Sequence, residues 1–229
     1  MDENSGFLLI DGHSWVCSSR PIYIWLNMIL HELFPVPVTE SHLSRDFSTE
    51  ELDFVDECGK NCSKNEGNFT SINRNVLEDE SMKSIKDFLS YQLKNYIDEI
   101  VRPKYMIEPY ITQSWFNYTR PGEFHHKHSH PNSFLSGVLY INAGPEDKIN
   151  FHRDWNNLIL DIPPAEYTNY NSGSIWLSAR IGKLLIFPSK LSHNVSVTES
   201  KSTRVSLSFN TFLKGIIGEE ASLTGVTLY

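Results

Sequence analysis

The sequence has few cysteines, and their spacing does not predict a structural metal site. Its three cysteines, Cys17, Cys58 and Cys62, are an odd number. The pair Cys58 and Cys62 has no second pair with which to complete a zinc knuckle. We therefore expect plain reduced thiols, as in a reducing compartment.

The sequence also lacks the marks of a membrane or secreted protein. No apolar run approaches the roughly 18–20 residues that span a bilayer. The most apolar early stretch, residues 22–34, is interrupted by Asn27, His31 and Glu32, and no basic region precedes it. We predict a cytoplasmic protein with no membrane partner.

Positive charge is scarce. The chain has 20 Lys and Arg against 28 Asp and Glu, a net charge of −8, and no dense basic stripe. Because phosphate binding draws on clustered cations, nucleic acid is not an expected partner. The 229 residues, 40% hydrophobic and 21% charged, suit one large globular domain, or a core with an N-terminal elaboration.

The first half of the chain predicts two helices. Ser48 offers an N-cap for a short helix that ends near Gly59, with acidic residues in its first turn. Residues 61–75 are polar and indicate a loop. Between residues 80 and 101, apolar residues recur three and four positions apart, which predicts an amphipathic helix that buttresses a sheet.

The second half predicts strands. Short runs of β-forming residues are separated by Pro, Gly, Asn and Asp clusters, a spacing typical of a sandwich or barrel. These runs are residues 110–118, 134–142, 148–152, 174–177, 183–187, 194–197 and 204–212. The predicted fold is mainly β, a jelly roll with N-terminal helices packed on its sheet.

Histidines are concentrated at one point of this β region. Since side chains two apart on a strand share a face, His126, His128 and His130 are expected on one face and His125 on the other. With His193 from a neighbouring strand, such a set would hold a first-row metal, and imidazole suits Fe, Zn, Cu and Ni alike. The alternative is a surface histidine cluster without a metal.

A second feature is the strand that begins at Arg204. Arg204, Ser206, Ser208 and Asn210 alternate with apolar residues, so they share one strand face. An arginine that points into a barrel needs an anionic partner, and its guanidinium grips a carboxylate through two hydrogen bonds. The alternative is an exposed polar face.

The region from Tyr110 to Leu213 resembles the 2-oxoglutarate/Fe(II)-dependent oxygenases, specifically a small prolyl-hydroxylase-like branch of bacteria and tailed phages. Residues 34–37, Phe-Pro-Val-Pro, also look like this branch. The matching motifs are Asn-Tyr-Thr-Arg-Pro-Gly at 117–122, His-Ser-His-Pro-Asn-Ser at 128–133, Ser-Gly-Val-Leu-Tyr-Ile at 136–141, Phe-Pro-Ser-Lys-Leu-Ser-His at 187–193 and Arg-Val-Ser-Leu-Ser-Phe-Asn at 204–210.

The resemblance implies a double-stranded β-helix core and a division of the chain. Members of this branch tend to begin near the position of Met28, so residues 1–27 are expected to be a weakly packed N-terminal extension. Residues 28–108 would be a strand and helices that buttress the core, residues 109–213 the catalytic core, and residues 214–229 a C-terminal tail. The setting would be the cytoplasm of a bacterium or of a phage-infected cell.

The resemblance also implies roles for single residues. His128, His130 and His193 would hold the iron, and Arg204 with Ser206 would bind the distal carboxylate of 2-oxoglutarate. Tyr118 and Tyr140 stand where related prolyl hydroxylases have tyrosines that reach the same carboxylate. His130 departs from the family, which commonly has Asp or Glu at this position. If His130 does not bind the metal, His126 is the alternative ligand, called the reserve ligand below.

The implied activity is a dioxygenase, expected to be a hydroxylase, that couples oxidative decarboxylation of 2-oxoglutarate to oxidation of a prolyl, peptide or small-molecule C–H bond. Its cofactor and cosubstrate would be Fe(II) and 2-oxoglutarate, with ascorbate in support. The entrance would involve Arg120, His152, Arg153, Trp155 and Trp176. The oligomeric state is unspecified.

Two hypotheses from other functional classes stay open. A cupin-type metal protein would not use 2-oxoglutarate; the His-x-His start fits it, but Phe134 and Leu135 stand where a cupin has Glu, and Arg204 has no role in it. The other is a non-catalytic jelly-roll binding module.

Overall fold

The computed structural model describes residues 8–10, 14–16, 22–24, 28–153 and 162–229. The chain divides into two compact units, Met1–Val36 and Pro37–Tyr229. The first contains two antiparallel hairpins, β1 (Leu8–Ile10) with β2 (Ser14–Val16) and β3 (Ile22–Ile24) with β4 (Met28–Leu30). The proposed limits of an extension at residues 1–27 stay a prediction, and part of that range lies outside the described residues.

The second unit begins with a strand and a well-capped helix. Strand β5 (Thr39–His42) precedes α1 (Thr49–Lys60). The Ser48 hydroxyl accepts a hydrogen bond from the Glu51 backbone N–H, while the Glu51 carboxylate accepts one from the Ser48 N–H, so two free helix donors are satisfied. The helix predicted from this N-cap is confirmed.

The second predicted helix is divided into three parts. A short 3-10 turn (Glu80–Met82) leads into α2 (Lys83–Tyr96), and a π-helical turn (Ile97–Val101) follows. The stripe of Ile85, Leu89 and Leu93 is fully buried. Two more 3-10 turns lie at Val76–Glu78 and Glu220–Ser222.

The remaining strands form two antiparallel sheets. In chain order they are β6 (Cys62–Lys64), β7 (Phe69–Ser71), β8 (Ile107–Thr119), β9 (His125–His128), β10 (Leu135–Asn142), β11 (Lys148–His152), β12 (Ser174–Ser178), β13 (Lys183–Pro188), β14 (His193–Val195), β15 (Arg204–Ile217) and β16 (Val226–Leu228). The larger sheet has the order β5–β13–β10–β15–β8–β7–β6, with β16 beside β15. The smaller has the order β12–β11–β14–β9.

Two of these strands correct the predicted loop at residues 61–75. The segment is polar, but β7 pairs with β8 through Phe69 and Thr70, and β6 pairs with β7. Its strands are short and lie at the edge of the large sheet. There, backbone pairing holds a segment that lacks the apolar alternation of a half-buried strand.

Strand β15 separates the helix layer from the interior of the core. Leu207 and Phe209 belong to the main apolar cluster with Leu89, Leu93 and other α2 residues. Arg204, Ser206 and Ser208 on the alternate face line a cavity instead. The predicted alternation is confirmed, as is a mainly β double-stranded β-helix with helices on its sheet.

Gly137 of β10 lies opposite Phe209 of β15. A Cβ atom at Gly137 would lie 2.2 Å from Cζ of Phe209, far inside van der Waals contact. The phenyl ring therefore crosses the backbone of β10, and only glycine permits this approach.

None of the helices in the described residues is both long enough and apolar enough to cross a membrane.

Candidate functional site

The structure brings together the three histidines that the sequence singled out. His128 ends β9 and pairs with His193, the first residue of β14. His130 lies in the turn after β9, where its backbone N–H donates to the Ser189 carbonyl oxygen at 2.9 Å. A ring nitrogen from each histidine lies within 4.8 Å of the other two.

Hydrogen bonds fix the same tautomer in all three rings. Nδ1 of His128 lies 2.8 Å from the His126 carbonyl oxygen, and Nδ1 of His193 lies 3.0 Å from that of Leu191. Nδ1 of His130 lies 2.7 Å from Oδ1 of Asn210. Because each partner is an oxygen acceptor, each Nδ1 carries the proton, and each Nε2 keeps its lone pair for a metal.

Burial keeps these rings neutral. It lowers the pKa of His193 to about 3 and the pKa of His130 to about 4, and it also lowers the pKa of His128. Nε2 of His130 is buried and has no partner among the described residues. A buried, unpartnered lone pair on a neutral imidazole is what a metal ligand needs before the metal binds.

The expectation that His125 leaves on the opposite strand face is wrong. His193 and Val195 are two residues apart in β14, but their partners in β9, His128 and His125, are three apart. The extra residue is a β-bulge, which breaks the side-chain alternation. The His125 ring consequently stacks on His128 with centroids 4.5 Å apart, and burial lowers its pKa to about 2.

His125 and His126 form a second group of three with His128, whose ring nitrogens also lie within 4.8 Å of one another. In that group, His125 is already engaged, because Asn65 Nδ2 lies 3.1 Å from its Nε2. Nδ1 of His126 lies 3.9 Å from the Glu66 carboxylate. We therefore keep His126 as the reserve ligand.

A narrow cavity extends from the three histidines to Arg204. Arg204 is 3% exposed and is held by a contact of 3.4 Å from its Nη1 to the Lys148 carbonyl oxygen. Its Nε is buried and has no hydrogen-bond partner among the described residues. The cavity thus has an unpaired cationic donor in its wall.

Tyr140 and Ser206 lie beside this guanidinium. They face each other across β10 and β15, and Cζ of Arg204 lies 5.1 Å from the Tyr140 ring centroid. Burial raises the pKa of Tyr140, so its hydroxyl stays protonated. That hydroxyl also lacks a partner within the described chain. Two adjacent unpaired donors would both be satisfied by one carboxylate.

Tyr118, which the sequence predicts to reach the same carboxylate, lies outside this group. Its hydroxyl donates to the Val55 carbonyl oxygen of α1 at 2.6 Å. Strand alternation is the cause: Trp115, Asn117 and Thr119 of β8 line the cavity, so Tyr118 points to the helix layer.

Four of the five predicted entrance residues lie apart from the cavity. Arg120 packs on the Phe69 ring at 4.4 Å, and Trp176 is 60% exposed under Lys148. His152 bonds to the Asn194 side chain, and Arg153 donates to the carbonyl oxygens of Asn169 and Tyr170. Trp155 lies outside the described residues.

The sequence analysis gave no role to three side chains on the cavity wall or beside His130. These are Asn117, whose Nδ2 donates to the Ser208 hydroxyl at 2.9 Å, Asn210, and Trp115, which stacks on His130. The alternation of Gln113, Trp115, Asn117 and Thr119 was the available signal. Pairing β8 with β15 would have placed them opposite the Arg204 face.

A wider groove of about 360 Å³ shares Trp115, His125, His128 and His130 with the cavity. The rest of its wall is largely polar, with Asn65, Thr70, Arg74, Gln113, His126, Ser129, Pro131 and Asn210. The groove therefore gives solvent access to the histidines.

Comparison with known proteins places this site in context. Residues 113–210 match the model of a family described as putative 2OG-Fe(II) oxygenase. This match includes the three histidines, Tyr140, Arg204 and Asn210. No curated protein sequence matches the chain.

Solved structures share the fold at low sequence identity. A prolyl hydroxylase from Trichoplax adhaerens in complex with a hypoxia inducible factor peptide is 16% identical, with a TM-score of 0.53 over 76% of this chain and 83% of that one. HygX from Streptomyces hygroscopicus, with nickel, 2-oxoglutarate and hygromycin B bound, is 11% identical, with a TM-score of 0.51 over 77% and 82%. A 2OG-Fe(II) oxygenase family protein from Burkholderia pseudomallei is 12% identical, with a TM-score of 0.50 over 75% and 83%.

Proposed function

We propose that the chain is a 2OG-Fe(II) oxygenase in which His128, His130 and His193 hold the iron and Arg204, Tyr140 and Ser206 bind 2-oxoglutarate. The first assignment rests on the buried Nε2 of His130, and the second on the buried Nε of Arg204 and the Tyr140 hydroxyl, none of which has a partner among the described residues.

The donor set suits iron(II). Three imidazoles whose Nε2 lone pairs are free, and whose Nδ1 protons are held by oxygen acceptors, form a neutral first-row metal site. With His130 in place of a carboxylate, no ligand offsets the double positive charge of the metal. A dianionic cosubstrate is then attracted more strongly than in a site that contains a carboxylate.

The observation that carries the proposal is the unpaired Nε of Arg204, buried next to the unpaired Tyr140 hydroxyl. An isolated buried guanidinium is costly, and a carboxylate that accepts from both groups removes this cost. The distal carboxylate of 2-oxoglutarate has the required charge and planarity. Ser206, directly opposite Tyr140, adds a hydroxyl to the same pocket.

Iron and 2-oxoglutarate, when bound, would supply the oxidative chemistry with dioxygen as the oxidant: 2-oxoglutarate is decarboxylated to succinate and CO2, with one oxygen atom entering succinate and the other the substrate C–H bond. The chain positions both groups and shields them from water. Val138, Ile149 and Phe187 form an apolar part of the cavity wall. Because apolar side chains exclude water, the attraction between Arg204 and the charged cosubstrate is stronger in this cavity than in solvent, which favours binding.

The substrate would enter through the wider groove, which opens on the histidines. Hydroxylation of a peptidyl proline or of a small molecule is the reaction we propose, since the related solved structures hold a peptide in one case and hygromycin B in another. We expect ascorbate to support turnover by keeping iron reduced. The reduced thiols and iron(II) suit the cytoplasm, where we propose that the protein works.

The test is consumption of 2-oxoglutarate by the iron-loaded protein, followed as succinate release. We expect release from the parent and none from His193→Ala, with Trp176→Ala as a matched control that retains it. A cupin-type metal protein or a binding module would bind at most a metal and release no succinate. Absence of both 2-oxoglutarate binding and succinate release in the iron-loaded parent would refute the proposal.

A further inference from the structure

The groove next to the histidines contains one guanidinium that the proposed reaction does not use. Arg74 lies on its rim, between β7 and the Val76–Glu78 turn. Among the residues that the structure describes, the Arg74 side chain forms no ion pair, hydrogen bond or ring contact. Arg204, which the proposed reaction does use, lines the cavity behind the histidines instead.

The segment that carries Arg74 is held in place. The Arg74 carbonyl oxygen accepts from the Ser114 N–H at 2.8 Å, and the Ser114 hydroxyl accepts from the Leu77 N–H at 3.0 Å. The side chain of Asn73 accepts from the Asn75 N–H at 2.8 Å. These hydrogen bonds fix the backbone on both sides of Arg74, either to β8 or within its own turn. Less conformational freedom is therefore lost when the guanidinium binds a ligand.

The charge of the groove contrasts with that of the chain. No Asp or Glu is found among the described residues of the groove wall, although the chain carries a net charge of −8. A site with doubly charged iron, dianionic 2-oxoglutarate, neutral histidines and Arg204 keeps one net positive charge before Arg74 is counted. Anionic groups are therefore favoured here and disfavoured over most of the acidic surface.

The remaining wall groups are neutral and polar. The Gln113 amide oxygen accepts from Asn210 Nδ2 at 3.4 Å, which leaves its NH2 group as a donor. Trp115 offers an aromatic face that already stacks on His130. The groove volume of about 360 Å³ lies in the range of small-molecule clefts.

We propose that the substrate is a small polar molecule with a carboxylate or phosphate group, and that Arg74 binds this group while an adjacent C–H bond faces the histidines. This inference rests on the proposed function, since it assigns the substrate of the same site. A guanidinium binds either anion through paired hydrogen bonds, so the two share one recognition chemistry.

The test uses three probes of similar size, butyrate, propyl phosphate and butyramide, titrated into protein loaded with zinc(II) and saturated with 2-oxoglutarate. Saturation keeps the Arg204 pocket occupied, and zinc prevents turnover. Binding is measured by ligand-observed NMR. We expect both anions to bind at least about tenfold more tightly than butyramide, and Arg74→Met to remove this preference. The tighter of the two anions identifies the group that the site prefers.

The matched control is Arg120→Met, which removes an exposed arginine that packs on Phe69 outside the groove wall. It should leave the dissociation constants of all three probes within about twofold. Equal binding of the three probes by the parent, no measurable binding of either anion, or unchanged anion binding by Arg74→Met would each overturn the inference.

The same variants separate this inference from the proposed function. Arg74→Met should retain the affinity for 2-oxoglutarate, and Arg204→Met should lose it. If the parent does not bind 2-oxoglutarate, the proposed function fails, and the probes are then compared in the metal-free Arg204→Met protein. If this protein binds the anions and an added Arg74→Met substitution abolishes that binding, the assignment of Arg74 is supported. If the Arg204→Met protein binds no anion although it still contains Arg74, the assignment is contradicted.

Discussion

Asn210 holds His130 through one of the shortest hydrogen bonds of the site, 2.7 Å between Oδ1 and Nδ1. The same oxygen accepts from the Ser136 hydroxyl at 2.8 Å, so its position is fixed from a second side. Asn210 lies on β15 and His130 in the turn after β9. The orientation of this ring therefore depends on contact between two separate parts of the core.

Replacing Asn210 with Leu should lower metal affinity about 10- to 100-fold, because the His130 tautomer is no longer fixed. Competition between the protein and a chromophoric chelator for cobalt(II) measures this change. The control is Asn142→Leu, which removes a hydrogen bond of 2.8 Å to the Thr203 carbonyl oxygen and should not affect metal binding. Equal affinities of Asn210→Leu and the parent would show that His130 is no ligand.

Loss of His193 should abolish stoichiometric iron(II) or cobalt(II) binding, whereas His125→Ala should retain it. His193 supplies one of three free Nε2 atoms, while Nε2 of His125 is engaged by Asn65. Elemental analysis of the purified variants gives the metal content directly. Retention of metal by His193→Ala together with its loss in His125→Ala would instead favour the group of His125, His126 and His128.

Arg204→Met should raise the dissociation constant of 2-oxoglutarate about thirtyfold to several thousandfold, since a buried charge-assisted contact contributes roughly 2–5 kcal/mol. Arg204→Lys retains the charge without the paired donors and should lie in between. Calorimetric titration of the zinc-loaded proteins measures both. Metal content should stay at the parent level, and unchanged 2-oxoglutarate affinity would exclude Arg204 from the cosubstrate pocket.

Two tyrosine variants should have opposite effects. Tyr118→Phe removes the buried bond to Val55 and should lower the free energy of unfolding by about 0.5–1.5 kcal/mol, with 2-oxoglutarate affinity unchanged. Tyr140→Phe should lower that affinity roughly three- to tenfold with little loss of stability, because its hydroxyl has no partner among the described residues. Urea unfolding and calorimetric titration on both variants check this contrast.

The metal-free protein should lose stability as the pH falls below about 6.5, the ordinary pKa of histidine. The pKa values of His125, His130 and His193 are about 2, 4 and 3 in the folded chain. Between these values and 6.5 the unfolded chain binds more protons, so each ring costs up to about 1.4 kcal/mol per pH unit. Urea unfolding at pH 7.5 and 5.5 measures the loss.

His193→Asn removes one of these rings and should reduce that loss. An equal pH dependence in the parent and in this variant would contradict the neutral, buried state of His193.

Sequence patterns predicted most of the core because its elements follow simple periodicities. The Ser48 cap, the α2 stripe and the alternation of β15 each appear within a few consecutive residues. His125 and Tyr118 were misplaced for a different reason. The bulge in β9 depends on its pairing with β14, and the direction of Tyr118 depends on which face of β8 meets β15. Both are properties of strand pairing, which local periodicity does not contain.

The contact between Gly137 and Phe209 has a consequence for how the chain can vary in length. It joins β10 to β15 in one register, and in that register Arg204, Ser206 and Ser208 reach the cavity while Leu207 and Phe209 reach the helices. Deletion of one residue within β15 would exchange the two faces beyond that point. Homologues should therefore differ by insertions and deletions in the loops between strands, and β15 should keep a constant length from Arg204 to Asn210.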